Sequence, residues 1–135
     1  MRFMILVKAN ADTEAGVMPG EPLIAAMAAY HEQLAQAGVL LDANGLHPSA
    51  RGWRVRWGDG RPTVVDGPFT ESKELVAGYT LIDVPGREAA VEWTRRFPHP
   101  HGSGPAEIEV RQLYELEDFG PGDAVERFRA LNAPA

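Results

Sequence analysis

A chain of 135 residues, 44% hydrophobic and 24% charged, has the length and composition of one globular domain. It has no cysteine, which excludes disulfides, thiolate metal ligands and a cysteine nucleophile. Thirteen basic against nineteen acidic residues leave a net charge of −6, which repels phosphate backbones and argues against a nucleic-acid partner. No apolar run approaches the ~20 residues of a membrane span. Met1 to Val7 also lacks a basic leader and a cleavage site, so a cytoplasmic protein with no membrane partner is expected.

In chain order, Arg2 to Lys8 is a short apolar run of strand formers and reads as a buried first strand. A polar loop from Asn10 to Gly20 follows. Pro22 suits the first turn of a helix, and the Ala-rich stretch from Leu23 to Ala37 repeats Ile24, Met27, His31 and Leu34 on one face before Gly38 stops it. Val39 to Leu41 begins a second strand that runs into the bend Gly45-Leu46-His47-Pro48. Trp53 to Trp57 alternates large apolar residues with arginine, so one face is expected to be buried. The turn Gly58-Asp59-Gly60 joins it to Pro62–Asp66 as a hairpin. Leu75 to Val84 is a long strand, and Arg87 to Phe97 a helix with Ala90, Trp93 and Phe97 inward. The run from Pro98 to Gly102 breaks that helix. Glu107 to Leu116 alternates as a last strand, and a short helix from Asp123 to Leu131 closes the chain.

Two helices among four principal strands, with a hairpin inserted between the second and third, predict an α+β ferredoxin-like sandwich with an antiparallel sheet. Residues 1–119 form this domain, with 120–135 as a helical tail packed on it. Two helices cover only one face of such a sheet. The other is expected to carry Trp53, Val55, Trp57 and alternate residues of the first strand, and a second copy of the sheet is its simplest cover. A homodimer is therefore predicted.

Asp66-Gly-Pro-Phe-Thr-Glu-Ser-Lys-Glu-Leu75 resembles the signature of the DGPF family, a branch of the YCII-related proteins. The likeness extends to Ala37–Leu41, Gly45–Pro48, Ala77–Ile82, Pro100–Gly102, Glu107–Arg111 and Glu117–Phe119, nearly the whole chain. It implies the dimeric α+β barrel fold. Some members are encoded beside, or fused to, extracytoplasmic-function sigma factors. Relatives in the wider group include a dehydrochlorinase, and many carry a His/Asp pair in a cleft. The helix histidine of that pair falls near Met27 here, about one turn before His31, so the pair is out of register.

The residues themselves leave two readings of the motif. Asp66, Gly67 and Pro68 suit a structural turn. Alternatively, Asp66 beside Phe69 is a partly desolvated carboxylate able to exchange protons, with Lys73 and Glu74 orienting a polar ligand. His31 lies on an apolar stripe, either as a satisfied core histidine or as a general base. His101 is a loop group placed to lean over a pocket mouth, and Arg111 offers a fork for a substrate carboxylate or for Glu107 or Glu109. His99-Pro-His101 lacks supporting ligand spacing, so no metal is expected. Phosphate-loop, dinucleotide-loop and serine-nucleophile signatures are absent, so no cofactor is expected.

The functional expectation is a dimeric small-molecule protein with cofactor-independent acid–base chemistry of the lyase or isomerase kind. Asp66, His31 and His101 would be its catalytic groups, and Phe69, Lys73, Glu74 and Arg111 its ligand-binding ones. The alternative is a non-catalytic sensor or regulatory partner linked to a sigma factor.

Overall fold

The computed structural model describes residues 1–132, apart from the side chain of Ser72. The chain runs β1 (Arg2–Lys8), α1 (Ala11–Glu14), α2 (Glu21–Gln36), β2 (Leu40–Gly45), β3 (Trp53–Gly58), β4 (Arg61–Asp66), β5 (Val76–Asp83), α3 (Arg87–Arg95), β6 (Ile108–Gln112) and α4 (Asp123–Asn132). Short 3₁₀ turns lie at Ser49–Arg51, Ser72–Glu74 and Leu116–Phe119. The four-stranded sheet has the order β2-β5-β1-β6 with every neighbour antiparallel, which is the ferredoxin-like arrangement. Within the single chain the sheet is open and not closed into a barrel.

Local chemistry sets the boundaries of α2. Gly20 and Pro22 start it where missing N–H partners cost nothing. At the other end Gly38 takes φ +74°, while Val39 N–H donates to Leu34 O and Gly38 N–H to Ala35 O, the paired bonds of a Schellman stop. The hairpin turn is Asp59-Gly60, both with positive φ, which matches the twist of the flanking strands.

Helices α2 and α3 pack against one face of the sheet. Phe3, Ile5, Tyr30, Leu34, Ile82, Val84 and Ala90 form the buried core, with Trp93, Phe97, Ile108 and Val110 packed on it. Tyr30 is the largest helix contribution. Its hydroxyl donates to Trp93 O at 2.7 Å, and burial pushes its pKa up to about 12. An unfolded tyrosine ionises near 10, so this stabilisation is complete below pH 10 and is lost as pH rises from 10 to 12. Urea unfolding across that range should show a loss on the order of 2–3 kcal/mol from this group. In Tyr30→Phe the decline should be shallower, and equal slopes in both proteins would refute the assignment.

Four expectations need correction. The stripe facing the sheet from α2 is centred on Tyr30 and Leu34, with Met27 and His31 half-buried and Ile24 exposed, because the bulky tyrosine turns the helix by about one residue. The segment from Asn10 contains the short helix α1, held by an Asn10/Thr13 capping box. The last strand ends at Gln112 and not at Leu116, because its partner β1 runs out: Phe3 pairs with Gln112, and Leu113 N–H takes the final bond to Arg2 O. Lastly, Trp53, Val55 and Trp57 are not on the free face of the main sheet. They lie in a separate two-stranded sheet, β3–β4, and are exposed in the single chain.

Candidate functional site

The register of the strands places Lys8 opposite Val76, Gly45 opposite Gly78 and Val7 opposite Ile108. One end of the sheet therefore gathers the loops that carry most of the sequence-predicted residues. Asp66 closes the hairpin there, paired with Trp53 and exposed, so the expected partial desolvation is not found in the single chain. Lys73 and Glu74 are exposed in the turn leading into β5. His101 Nε2–H donates to Lys8 O at 3.1 Å, which seats the ring over the end of β1. His99 uses both ring nitrogens inside its own loop, Nε2–H to Gly104 O at 2.7 Å and Nδ1 from His101 N–H at 3.1 Å.

The Asp-Gly-Pro-Phe turn is locked by residues that sequence reasoning passed over. Ser49 N–H (3.0 Å) and the Ser49 hydroxyl donate to the two carboxylate oxygens of Glu14, and Ser49 Oγ accepts from Phe69 N–H at 3.0 Å. Gly67 N–H donates to Gly52 O, the Gly67-Pro68 peptide is cis, and the Arg54 guanidinium lies 3.7 Å over the Phe69 ring. One serine thus joins α1, the loop after β2 and the motif. Glu14 and Ser49 are 35 residues apart, and no local pattern announces the pair.

His31 lies elsewhere, between α2 and the covered face of the sheet. Its Nδ1 faces Met27 O at 2.7 Å, and a carbonyl only accepts, so the proton is on Nδ1. Nε2 lies 2.8 Å from the hydroxyl of buried Thr80, which donates to it in the neutral ring. Both nitrogens are used, as in the core-histidine reading.

The other face of the main sheet carries the remaining groups. Paired residues share a face, so Asp42, Leu81, Met4 and Arg111 form one row across the strands, and Asn44, Tyr79, Leu6 and Glu109 form the next. At one side Tyr79 O–H donates to Asp42 at 2.7 Å and accepts from Asn44 at 3.0 Å. At the other, Glu109 sits between Arg111 at 3.2 Å and Lys8 at 3.6 Å. The hydrogen bond from Arg111 and, after it, the charge of Lys8 hold the Glu109 carboxyl below the usual carboxylate range. Methionine and leucine side chains lie between the polar ends, which are three strand spacings or about 14 Å apart. The Asp42–Tyr79 pair escaped the sequence reading because its alternation becomes meaningful only once β2 and β5 are in register.

An open cleft of about 400 Å³ between the end of α3 and the start of β6 is lined by Phe97, Pro98, His99, Glu107 and Ile108 among others, and takes in none of the predicted site residues. Among the described residues, no group of three or more His, Asp or Glu is arranged to hold a metal ion. No helix among them is long and apolar enough to cross a membrane.

Fold and site together define an α+β domain of ferredoxin-like topology with one sheet face uncovered and polar loops at one sheet end. Residues 1–116 match the YCII-related domain, and the chain belongs to that family. An uncharacterized protein of Rhizobium meliloti (strain 1021) is 30% identical over 90 residues, covering 66% of this chain and 73% of its own. Among solved structures, the chain is similar to the 5-chloro-2-hydroxyhydroquinone dehydrochlorinase of Burkholderia phenoliruptrix AC1100, in complex with 2,5-dihydroxybenzoquinone. The TM-score is 0.47 at 15% identity, over 84% of this chain and 94% of that one.

Proposed function

We propose that this YCII-related chain is a homodimeric small-molecule-binding protein whose site performs cofactor-independent acid–base chemistry on an anionic substrate. The observation that carries the reading is the uncovered sheet face, where Arg111 and the Asp42–Tyr79 pair flank an apolar strip of Met4, Leu6 and Leu81. Such a floor suits a small molecule with a charged end and a hydrophobic middle. Arg111 pairs with the anionic group, its exposed fork exchanging one contact with Glu109 for the ligand. Asp66 removes a proton and His101 returns one from the loops at the sheet end, with Phe69, Lys73 and Glu74 bordering them. His31 serves packing, since both of its nitrogens are occupied.

Thermal-shift measurements against a panel of small carboxylic acids test this. A ligand at a hundred times its dissociation constant stabilises by about 2.7 kcal/mol. At least one acid should raise the melting temperature of the parent and lose that effect in Arg111→Ala. Asp66→Asn should keep the binding and abolish consumption of the ligand as followed by NMR. An acid that stabilises Arg111→Ala as strongly as the parent, or no stabilising acid at all, would defeat the proposal.

A different observation favours a second reading. The rings of Tyr114 and Phe119 meet at a tilt, 5.2 Å between centroids, and are exposed beside the acidic Glu115, Glu117 and Asp118, and Phe128 and Leu131 of α4 are exposed as well. An acidic, aromatic surface of this kind suits a basic protein partner, such as the sigma factor that the family resemblance implies. Under that reading Asp66→Asn leaves partner binding intact and no small molecule is consumed.

A further inference from the structure

We infer that the β3–β4 hairpin of one copy lies over the open sheet face of a second copy, so that each ligand site has its floor from one chain and its aromatic roof from the other. The inference rests on the dimeric reading above and adds what the partner contributes.

The register of the hairpin sorts its residues onto two sides. Trp53, Val55, Trp57, Pro62, Val64 and Asp66 share one side, while Arg54, Arg56, Arg61, Thr63 and Val65 share the other. The arginine side is the one turned toward its own chain, since Arg54 stacks on Phe69 and both Arg54 and Val65 are half-buried. The tryptophan side faces away and is left in water, with Trp53 64%, Trp57 77% and Val64 63% exposed. A two-stranded hairpin is marginal by itself and needs a packed face.

Size selects a second copy as the occupant. The two indoles alone expose roughly 300 Å², and the open sheet face, four strands wide and about seven residues long, adds roughly 400 Å², together close to the ~800 Å² that each partner buries in a stable dimer. Two copies exchanging hairpins make two identical contacts about one two-fold axis, a closed arrangement that does not propagate.

The absence of native cysteine makes site-directed crosslinking clean. Val64→Cys keeps both tryptophans, and Leu81→Cys marks the floor. The double variant V64C/L81C is treated with a bis-maleimide of about 10 Å span, the spacing of packed sheets. The expected product runs at twice the chain mass on a denaturing gel, several-fold above the yield from V64C/M18C, whose second cysteine replaces exposed Met18 outside the sheet. A product crosslinked within one chain, or a yield no higher than that control, overturns the inference. Sedimentation of the same proteins separates the two levels. A dimer without the 64–81 crosslink removes the roof and leaves the dimer standing, whereas a monomer removes both. Trp57→Cys in place of Val64→Cys repeats the test at a second roof position.

Discussion

Gly67→Ala should cost about 3 kcal/mol and lower the melting temperature by ~10 °C. A Cβ built on Gly67 would stand 1.9 Å from the carbonyl oxygen of Ser49 and 2.7 Å from its carbon. Both are backbone atoms, and no rotamer change relieves them. The loop carrying Ser49 has to move, and that movement pulls apart the Gly67–Gly52 bond and the bonds of Phe69 N–H and Glu14 to Ser49. Gly58→Ala is the matched control in the same hairpin: nothing lies within 4 Å of its Cβ, so its effect should stay below about 1 kcal/mol. Differential scanning calorimetry of the two variants decides the matter. Equal melting temperatures would mean that the motif's glycine has no packing role.

Leu34→Ala should cost about 3–4 kcal/mol, whereas Ile24→Ala should cost less than about 1 kcal/mol. Leu34 is fully buried among Ile5, Tyr30 and Ile82, and its removal leaves a cavity that the sheet cannot fill. Ile24, on the same helix, is 47% exposed and has little burial to lose. Urea unfolding of both variants reads the difference directly. Similar costs for the two would mean that Ile24 faces the sheet beside Leu34, as the stripe of Ile24, Met27, His31 and Leu34 requires.

Why that stripe was misread follows from the composition of α2. Leu23, Met27, Tyr30 and Leu34 recur at helical spacing as well as Ile24, Met27, His31 and Leu34 do, and alanines around the helix blur the boundary between them. Periodicity narrows the choice to adjacent faces, and the large area of Tyr30 settles it. Strands, hairpin and helix ends were readable because alternation and Gly/Pro punctuation act within a few residues. The ferredoxin-like class of the four-stranded antiparallel sheet followed from counting those elements. The early end of β6 was not readable, since it depends on where β1 begins, more than a hundred residues away.

The site divides in the same manner. Asp66, Phe69 and His101 stood out through their motif or their loop, and Arg111 through strand alternation. The Glu14–Ser49 lock and the Asp42–Tyr79 pair are contacts across 35 or more residues, invisible until the register is known. The motif's structural explanation has gained particular atoms: Gly67 is required by a close backbone approach, and the Phe69 N–H is held by a serine. The placement of Asp66 beside them leaves its carboxylate exposed and available to a ligand or to a second chain.

Sedimentation equilibrium at micromolar concentration weighs most directly on whether the bare sheet face is an interior surface. The predicted result is a particle of twice the chain mass that reverts to single chains when Trp53 and Trp57 are both replaced by serine. A parent protein that sediments as one chain would show that this face and its tryptophans meet water in the working molecule, and the enclosed site would not exist.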